Sequence, residues 1–506
     1  MPTIDLQSIH PPVVLAIDIG SSSVRALLYD AHGTQIPGSE SQHPYRQRMT
    51  DDGGSESNPK ELVYLAIRCV DDVTALASTA GIRIEGIGIT SFWHGLLGLG
   101  PDGQPATPVY MWSDKRSGDD ATAIAEEVDA SEVHQRTGCR IHSSYWPAKI
   151  RWWRRTQASD HDAVSHWVSV TDHLAQRLLG NLGTSISMAS GTGLLNATTL
   201  TWDKPLLDLL GLDATNLPDI TDRDDGTTSL TGEFSARWPS LAGVPWFPAI
   251  GDGAAANVGA GCVSAGSIAL TIGTSAAMRV LVPGDSTAQD TRLPERIWRY
   301  RLDRQRQVLG GALSNGGNVT SWLARDLFDQ EFGPLTEKAA NMPPDSHGLT
   351  ILPLLAGERS PSWRENATAT MHGLRLATTP ADIFRAALEA TAYRLAAIYD
   401  DLAPLANPAH EIHANGAAAL GSPLWLRIIA DTIGHPINAI DAEAEASARG
   451  AALCALNAIG ALTNLAAIAP RVSVNYEPIA ENLETYRRGR VRQRKLEEAI
   501  VRIERA

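Results

Sequence analysis

The chain has 506 residues, of which 43% are apolar and 20% charged, and carries a formal net charge of −14. This length is too great for one ordinary core and predicts two large lobes, and the composition excludes a disordered or fibrous protein. The acidic balance excludes a nucleic-acid or anionic-membrane binder, since neutralising phosphates requires basic patches.

Four cysteines, Cys69, Cys139, Cys262 and Cys454, stand too far apart for a zinc or redox pair and fit a reducing compartment. The opening MPTIDLQSIHPPVVLAID has no basic segment ahead of its apolar run and places two prolines where a signal helix belongs. No stretch offers about twenty uninterrupted apolar residues. A cytoplasmic protein without a membrane partner is expected.

In chain order, Leu15–Leu28 (LAIDIGSSSVRALL) predicts a β-hairpin turning at Gly20. Pro59–Ser78 has the apolar spacing of an amphipathic helix, and Ile84–Gly100 reads as two strands around a bend. Gly98–Gly103 (GLGPDG) satisfies the GxGxxG pattern but runs into QPATP rather than a helix, so it is a turn between strands. The absence of a GK dipeptide excludes a Walker A loop.

Asp252, in IGDGAAANVGAG, is the only charged side chain between Trp238 and Met278 and has Gly251 and Gly253 on either side. The pattern fits a carboxylate capping the helix that follows. It equally fits a carboxylate that meets a substrate, with glycines admitting that substrate close to the backbone.

Ile268–Leu281 (IALTIGTSAAMRVL) then repeats the first hairpin's order of apolar run, Ile-Gly, two hydroxyl residues and second apolar run, roughly 250 residues later. A plain turn explains either copy alone. Two copies one lobe length apart predict a duplicated α/β unit in which each lobe brings a phosphate-contacting hairpin to a shared cleft. Gly20 and Gly273 permit backbone conformations closed to other residues and let N–H groups approach an anion. Ser21, Ser22, Ser23, Thr274 and Ser275 add hydroxyl donors. Asp18 in the first copy is matched by Thr271 in the second. A carboxylate beside a phosphate turn calls for a cation between them, and Mg²⁺ is the natural candidate because it joins one or two carboxylates to phosphate oxygens.

Beyond the second hairpin, residues 382–402 predict a long helix with an apolar stripe, 411–416 a strand, and 422–434 and 447–460 two more helices. The basic run RRGRVRQRK at 487–495 reads as the solvated face of a last helix.

Together these blocks resemble the FGGY carbohydrate kinases, members of the larger sugar kinase, Hsp70 and actin group, from about Val13 to about Ala455. AIDIGSSSVRALLYD resembles the family's first phosphate hairpin, with Arg25 where Lys or Arg is usual, and IGTSA the second. MWSDKR matches Trp-x-Asp-x-Arg at Trp112, Asp114 and Arg116, and PLLAGERSPSW matches Gly-Glu-Arg-x-Pro. IGDGAAANVGAG resembles the catalytic block, and ANGAAALGSPLWLRIIADTIGHPI the adenosine segment, with Ala417 replacing one of the paired glycines common there.

The resemblance implies two duplicated actin-like, ribonuclease H-like α/β lobes, residues 1–247 and 248–506, with an ATP and sugar cleft between them. It implies Asp252 as catalytic base, also facing the sugar and the metal, and Asp18 as the residue that works through Mg²⁺. ATP phosphates would meet Gly20, Ser21, Ser22 and Arg25 in one hairpin and Gly273, Thr274 and Ser275 in the other. Adenosine would lie near Gly311, Asn315, Gly416 and Ala417.

SFWHGLLGLGPDGQPATPVYMWSDKRS and GGALSNGGNVTSW look most like the gluconokinase branch, which implies His94, Trp112 and Asp114 as sugar-facing residues. The implied reaction is ATP-dependent phosphorylation of a terminal hydroxyl, D-gluconate on O6, with D-xylulose, L-ribulose and glycerol as alternative acceptors. A rival from another class is an actin- or Hsp70-like ATPase that binds proteins; a chaperone has no use for the Trp-Ser-Asp-Lys-Arg block. A gluconate carboxylate requires a cationic partner, for which Arg116, Lys149 and Arg359 are the candidates. A homodimer is compatible with these features, but no heptad or interface patch specifies one.

Overall fold

A computed structural model describes residues 9–157, 163–285, 292–441 and 445–504. The first of two large sheets contains β1 (Val13–Ile19), β2 (Ser23–Tyr29), β3 (Ser41–Pro44), β4 (Ile84–Ser91) and β5 (Ile250–Gly251), in the order β5-β4-β1-β2-β3. β1 and β2 form the expected antiparallel hairpin, with Asp18 opposite Arg25, and β4 runs parallel to β1. Every residue of β1, VVLAIDI, is buried, as befits a strand covered on both faces.

The second sheet contains β6 (Ser267–Ile272), β7 (Ala276–Pro283), β8 (Trp298–Arg301), β9 (Arg306–Leu313), β10 (Glu411–Asn415), β11 (Ile437–Ile440) and β12 (Val472–Tyr476). Its order is β8-β9-β7-β6-β10-β11-β12. The inner run β9-β7-β6-β10-β11 repeats β3-β2-β1-β4-β5: an antiparallel hairpin at the centre, then two strands parallel to its first arm. The duplicated α/β fold expected from the paired hairpins is therefore present.

Helices cover the sheets. Asn58 caps α1 (Pro59–Ala80) by accepting from the N–H groups of Lys60 and Glu61, and Gly81, in the left-handed region at φ 68°, ends it. In α3 (Pro380–Leu402), Thr379 and Asp382 form a reciprocal capping box. α3 packs on β7 and β9, and α4 (Pro423–Ile433) packs on α3. Their apolar faces build the second core around Leu270, Met278, Leu388 and Ile428. α1 and α5 (Ala446–Ala458) build the first around Leu15, Ile17, Val70 and Leu453. The last element described is α6 (Ala480–Glu504), and among the described residues no helix is long and apolar enough to cross a membrane.

The two halves are joined by α2 (Asp252–Gly259) and α5, which cross backbone to backbone. A Cβ at Gly259 would overlap the carbonyl of Ala446, and one at Gly450 would overlap the carbonyl of Ala255. A boundary at 247/248 separates the two sheets except for β5, which follows it in sequence yet belongs with the first sheet, Ile250 pairing with Thr90 and Gly251 with Ser91; α2 and α5 also follow it and pack in the first core.

Candidate active site

β5 ends at Gly251 and α2 begins at Asp252, so the carboxylate stands at the first helical position of α2, where the orphan N–H groups and the helix dipole favour an anion. Asp252 accepts from the Gly253 N–H at 2.7 Å. Trp93 explains both flanking glycines: a Cβ at Gly251 or at Gly253 would run into its indole. The glycines thus admit a neighbouring side chain, where the sequence suggested they admit substrate. Trp93 is itself anchored, its Nε1 donating to the Ser187 carbonyl at 2.9 Å.

A cavity of about 220 Å³ opens beside Asp252. Trp93, Trp112, Trp298 and Tyr300 wall it, with Trp298 and Tyr300 stacked at 4.1 Å. Ser21 and Ser275, one from each hairpin, reach it, as does His94. His94 holds the left-handed conformation at φ 69°, and its Nδ1 lies 2.5 Å from the Gly191 carbonyl. Burial pushes its pKa down to about 3, so the ring is neutral; the carbonyl can only accept, so Nδ1 carries the proton and Nε2 is left as an acceptor.

The charged groups lining this cavity, among the described residues, are Asp252, Arg279 and Arg359. Burial raises the pKa of Asp252, and Arg279 is the strongest influence opposing the rise, followed by the Gly253 N–H and Arg359. Arg279 projects from β7 and donates to Thr271 Oγ1 at 3.4 Å. The Arg359 guanidinium lies over the Trp112 ring, 5.0 Å from its centroid, and its buried Nε has no hydrogen-bond partner. Of the three candidate partners for a substrate carboxylate, only Arg359 reaches the cavity. Lys149 Nζ donates to the carbonyls of Met111 at 2.7 Å and His94 at 3.0 Å, and Arg116 pairs with Asp114 and Glu56. Arg279 escaped the sequence reading although a signal was present, since it is the charged residue that ends the neutral run around Asp252.

A second cavity, of about 520 Å³, lies across the hairpins and is lined by Asp18, Arg25, Thr271, Gly416 and Ala417. Gly20, Ser22, Gly273 and Thr274 form the hairpin turns. Neither turn glycine has a positive φ; each N–H closes its own turn, and a Cβ at Gly273 would meet nothing within 4 Å. What glycine leaves there is open space for an approaching anion, rather than an unusual backbone conformation. Gly416, at φ 91°, is constrained, because a Cβ would press on the backbone of Ile272.

Asp114, Asn315 and Gly311 are held away from both cavities. The Asp114 carboxylate accepts from the Ser55 N–H at 3.0 Å and from Arg116. Asn315 is occupied by the Gly357 carbonyl at 2.7 Å and the Ala356 N–H at 3.0 Å. Gly311 lies in β9 against Ile398 of α3, inside the second core.

Asp18 lies within the field of Asp252, which, with burial as the larger cause, raises its carboxyl pKa from 3.8 to about 7 against the pull of Arg25. Two carboxylates with hard oxygen donors, Asp18 buried and Asp252 half-buried, fit a divalent cation such as Mg²⁺, whose charge would relieve both. With metal chelated, the folded protein keeps a proton on Asp18 between pH 3.8 and about 7 that the unfolded chain has lost, so stability falls as pH rises through that window. Each pH unit costs at most about 1.4 kcal/mol. In chelator, the thermal midpoint of Asp18→Asn should therefore gain on wild type between pH 4 and pH 8; parallel curves would show that Asp18 does not titrate in that range.

Residues 13–259 match the N-terminal domain, and residues 268–459 the C-terminal domain, of the FGGY family of carbohydrate kinases. The gluconokinase of Bacillus subtilis (strain 168) is 27% identical over 488 residues, covering 94% of this chain and 93% of its own length. A ligand-bound xylulose kinase and a gluconate kinase, both from Lactobacillus acidophilus, each superpose with a TM-score of 0.88 at 25% identity, covering 97% and 96% of this chain and 98% of theirs. The paired sheets, the two hairpins and the two domain matches, which leave little of the chain outside them, agree: the chain belongs to the FGGY family of carbohydrate kinases.

Proposed function

We propose that this kinase phosphorylates D-gluconate on O6, with ATP, the family's phosphate donor, and Mg²⁺, in the cytoplasm. The observation that carries the sugar-acid reading is the charge balance of the smaller cavity, where two guanidinium groups face one carboxylate. An uncompensated buried cation is costly, and a substrate carboxylate supplies the missing anion. Arg359 lies in the Gly-Glu-Arg-x-Pro stretch that the family shares, so Arg279 is the group that distinguishes an acid from a neutral sugar.

In this reading Asp252 accepts the O6 proton as the oxygen attacks the γ-phosphorus. Burial raises its basicity, and Arg279 opposes part of that rise. His94 Nε2 accepts from a sugar hydroxyl, and the tryptophan faces cover the C–H side of the chain. The hairpin hydroxyls, Ser21 and Ser275 among them, hold the phosphates from both sides, with Arg25 beside the first turn. Gly416 and Ala417 border the nucleoside. Asp18 and Asp252 would hold Mg²⁺, which neutralises phosphate charge when bound; most of the acceleration in phosphoryl transfer comes from such positioning and charge stabilisation.

The second reading, a xylulose kinase, is favoured by the Lactobacillus acidophilus enzyme of that name, which resembles this chain as closely as the gluconate kinase does. ADP release with Mg-ATP against D-gluconate, D-xylulose, glycerol and no sugar separates the two. Turnover with gluconate at least about tenfold above the others in kcat/KM is expected, a difference of about 1.4 kcal/mol. Preference for xylulose would keep the chemistry and discard the acid.

A further inference from the structure

The basic run near the end of the chain meets a groove that the kinase reaction does not use. Arg487, Arg490 and Arg494 of α6 are spaced three and four residues apart, so they share one helix face. All three line a groove of about 460 Å³ between α6 and the second half of α3. Arg296 and Arg394 complete its cationic lining, against the carboxylates Asp400 and Glu497, in a chain whose net charge is −14. The two helices are brought together at Gly489, where a Cβ would run into the Tyr393 hydroxyl.

Existing ion pairs leave donors over. Arg394 is fully engaged, its Nε donating to Glu358 Oε1 at 2.7 Å and its Nη1 to Glu497 Oε2 at 2.6 Å. Arg490 reaches Asp400 through a single nitrogen, and Arg487 gives Nε and Nη2 to Glu484 on its own exposed turn, which leaves its Nη1. Arg494 has no ion-pair or hydrogen-bond partner among the described residues. Like charges at these helical spacings destabilise the helix that carries them unless an anion bridges them. The seven steps from Arg487 to Arg494 span about 10 Å at 1.5 Å per residue, the reach of several linked phosphates rather than of one.

We propose that this groove is a binding site for an oligophosphate anion, held by the guanidinium groups of Arg490 and Arg494 with the remaining nitrogen of Arg487. The site lies one loop from the sugar cavity. Pro361 and Ser362 edge the groove, Ser362 donates to the Glu358 that pairs with Arg394, and the adjoining Arg359 lines the cavity.

The test is calorimetric titration of inorganic tripolyphosphate into full-length protein whose nucleotide cleft is saturated with a non-hydrolysable ATP analogue. One further equivalent is expected to bind, about tenfold or more weaker in the double variant Arg490→Ala with Arg494→Ala. Affinity should hold within about twofold in Arg488→Ala with Arg492→Ala, which removes equal charge from residues outside the groove, so that only long-range screened terms change. A second equivalent of the ATP analogue itself would identify nucleotide as the source of the oligophosphate, and tripolyphosphate binding alone an inorganic one; either supports the groove. No further equivalent of either the analogue or tripolyphosphate, or equal weakening in the two double variants, overturns it. Should the alanine pair lower the thermal midpoint, the same comparison is read with Arg494→Glu, at a position with no ion pair to lose.

Discussion

Asp252→Asn is expected to lower sugar-dependent ADP formation by about a thousandfold, within the range that a positioned general base supplies, while the fold persists. An asparagine oxygen can still accept the Gly253 N–H, and the amide has the size of the carboxylate, so the packing of α2 against Trp93 is kept. What disappears is the group that takes the hydroxyl proton and one of two carboxylates suited to Mg²⁺. The same substitution leaves Arg279 and Arg359 without an anion in the cavity, so gluconate should bind the variant at least as tightly as wild type in a calorimetric titration. Lost turnover with retained binding would assign Asp252 to the chemical step. Undiminished turnover would remove it from that step, and loss of binding together with turnover would assign it to holding the sugar.

Arg279→Met is the second large effect. Removing one member of a buried charge-assisted contact typically costs about 2–4 kcal/mol, so kcat/KM for gluconate should fall about a hundredfold. Because Arg279 is the strongest influence holding down the Asp252 pKa, part of the loss falls on any acceptor, and the acid limb of the rate profile should move to higher pH for all of them. The discriminating quantity is therefore the ratio of gluconate to a neutral acceptor such as D-xylulose. A carboxylate partner predicts that this ratio collapses by about tenfold or more. An unchanged ratio would mean that Arg279 tunes the base and reads nothing of the substrate.

The fold was legible because its signals are local. A hairpin announces itself in fifteen residues, and a second copy at LTIGTSAAM shows the duplication without knowledge of any contact. Asp252 was legible for a related reason, since one charge in a long neutral run is visible along the chain. The partners of these groups were not, because partnership is decided across the fold. Asp114 and Lys149 have the chemistry of a sugar site, yet one is consumed by Arg116 and the Ser55 N–H and the other by backbone carbonyls. Asn315 likewise staples the loop at Gly357 instead of meeting a nucleotide. The glycines around Asp252 pointed to close approach, but not to Trp93, some 160 residues earlier in the chain, as the group approaching. Arg279 drew no attention in the sequence, because only the fold of β7 brings it into the cavity with Asp252.

The crossing of α2 and α5 bears on how such a chain changes over generations. Where two helices meet through side chains, an enlargement on one can be answered by a reduction on the other, and the pair drifts together. At Gly259 and Gly450 the opposing atoms are main-chain carbonyls, which every amino acid possesses and none can shorten. A substitution at either glycine thus has no compensating substitution available on the opposite helix. This joint can be inherited intact or lost, with no intermediate path, while the cavity walls on both sides of it remain free to acquire new acceptors.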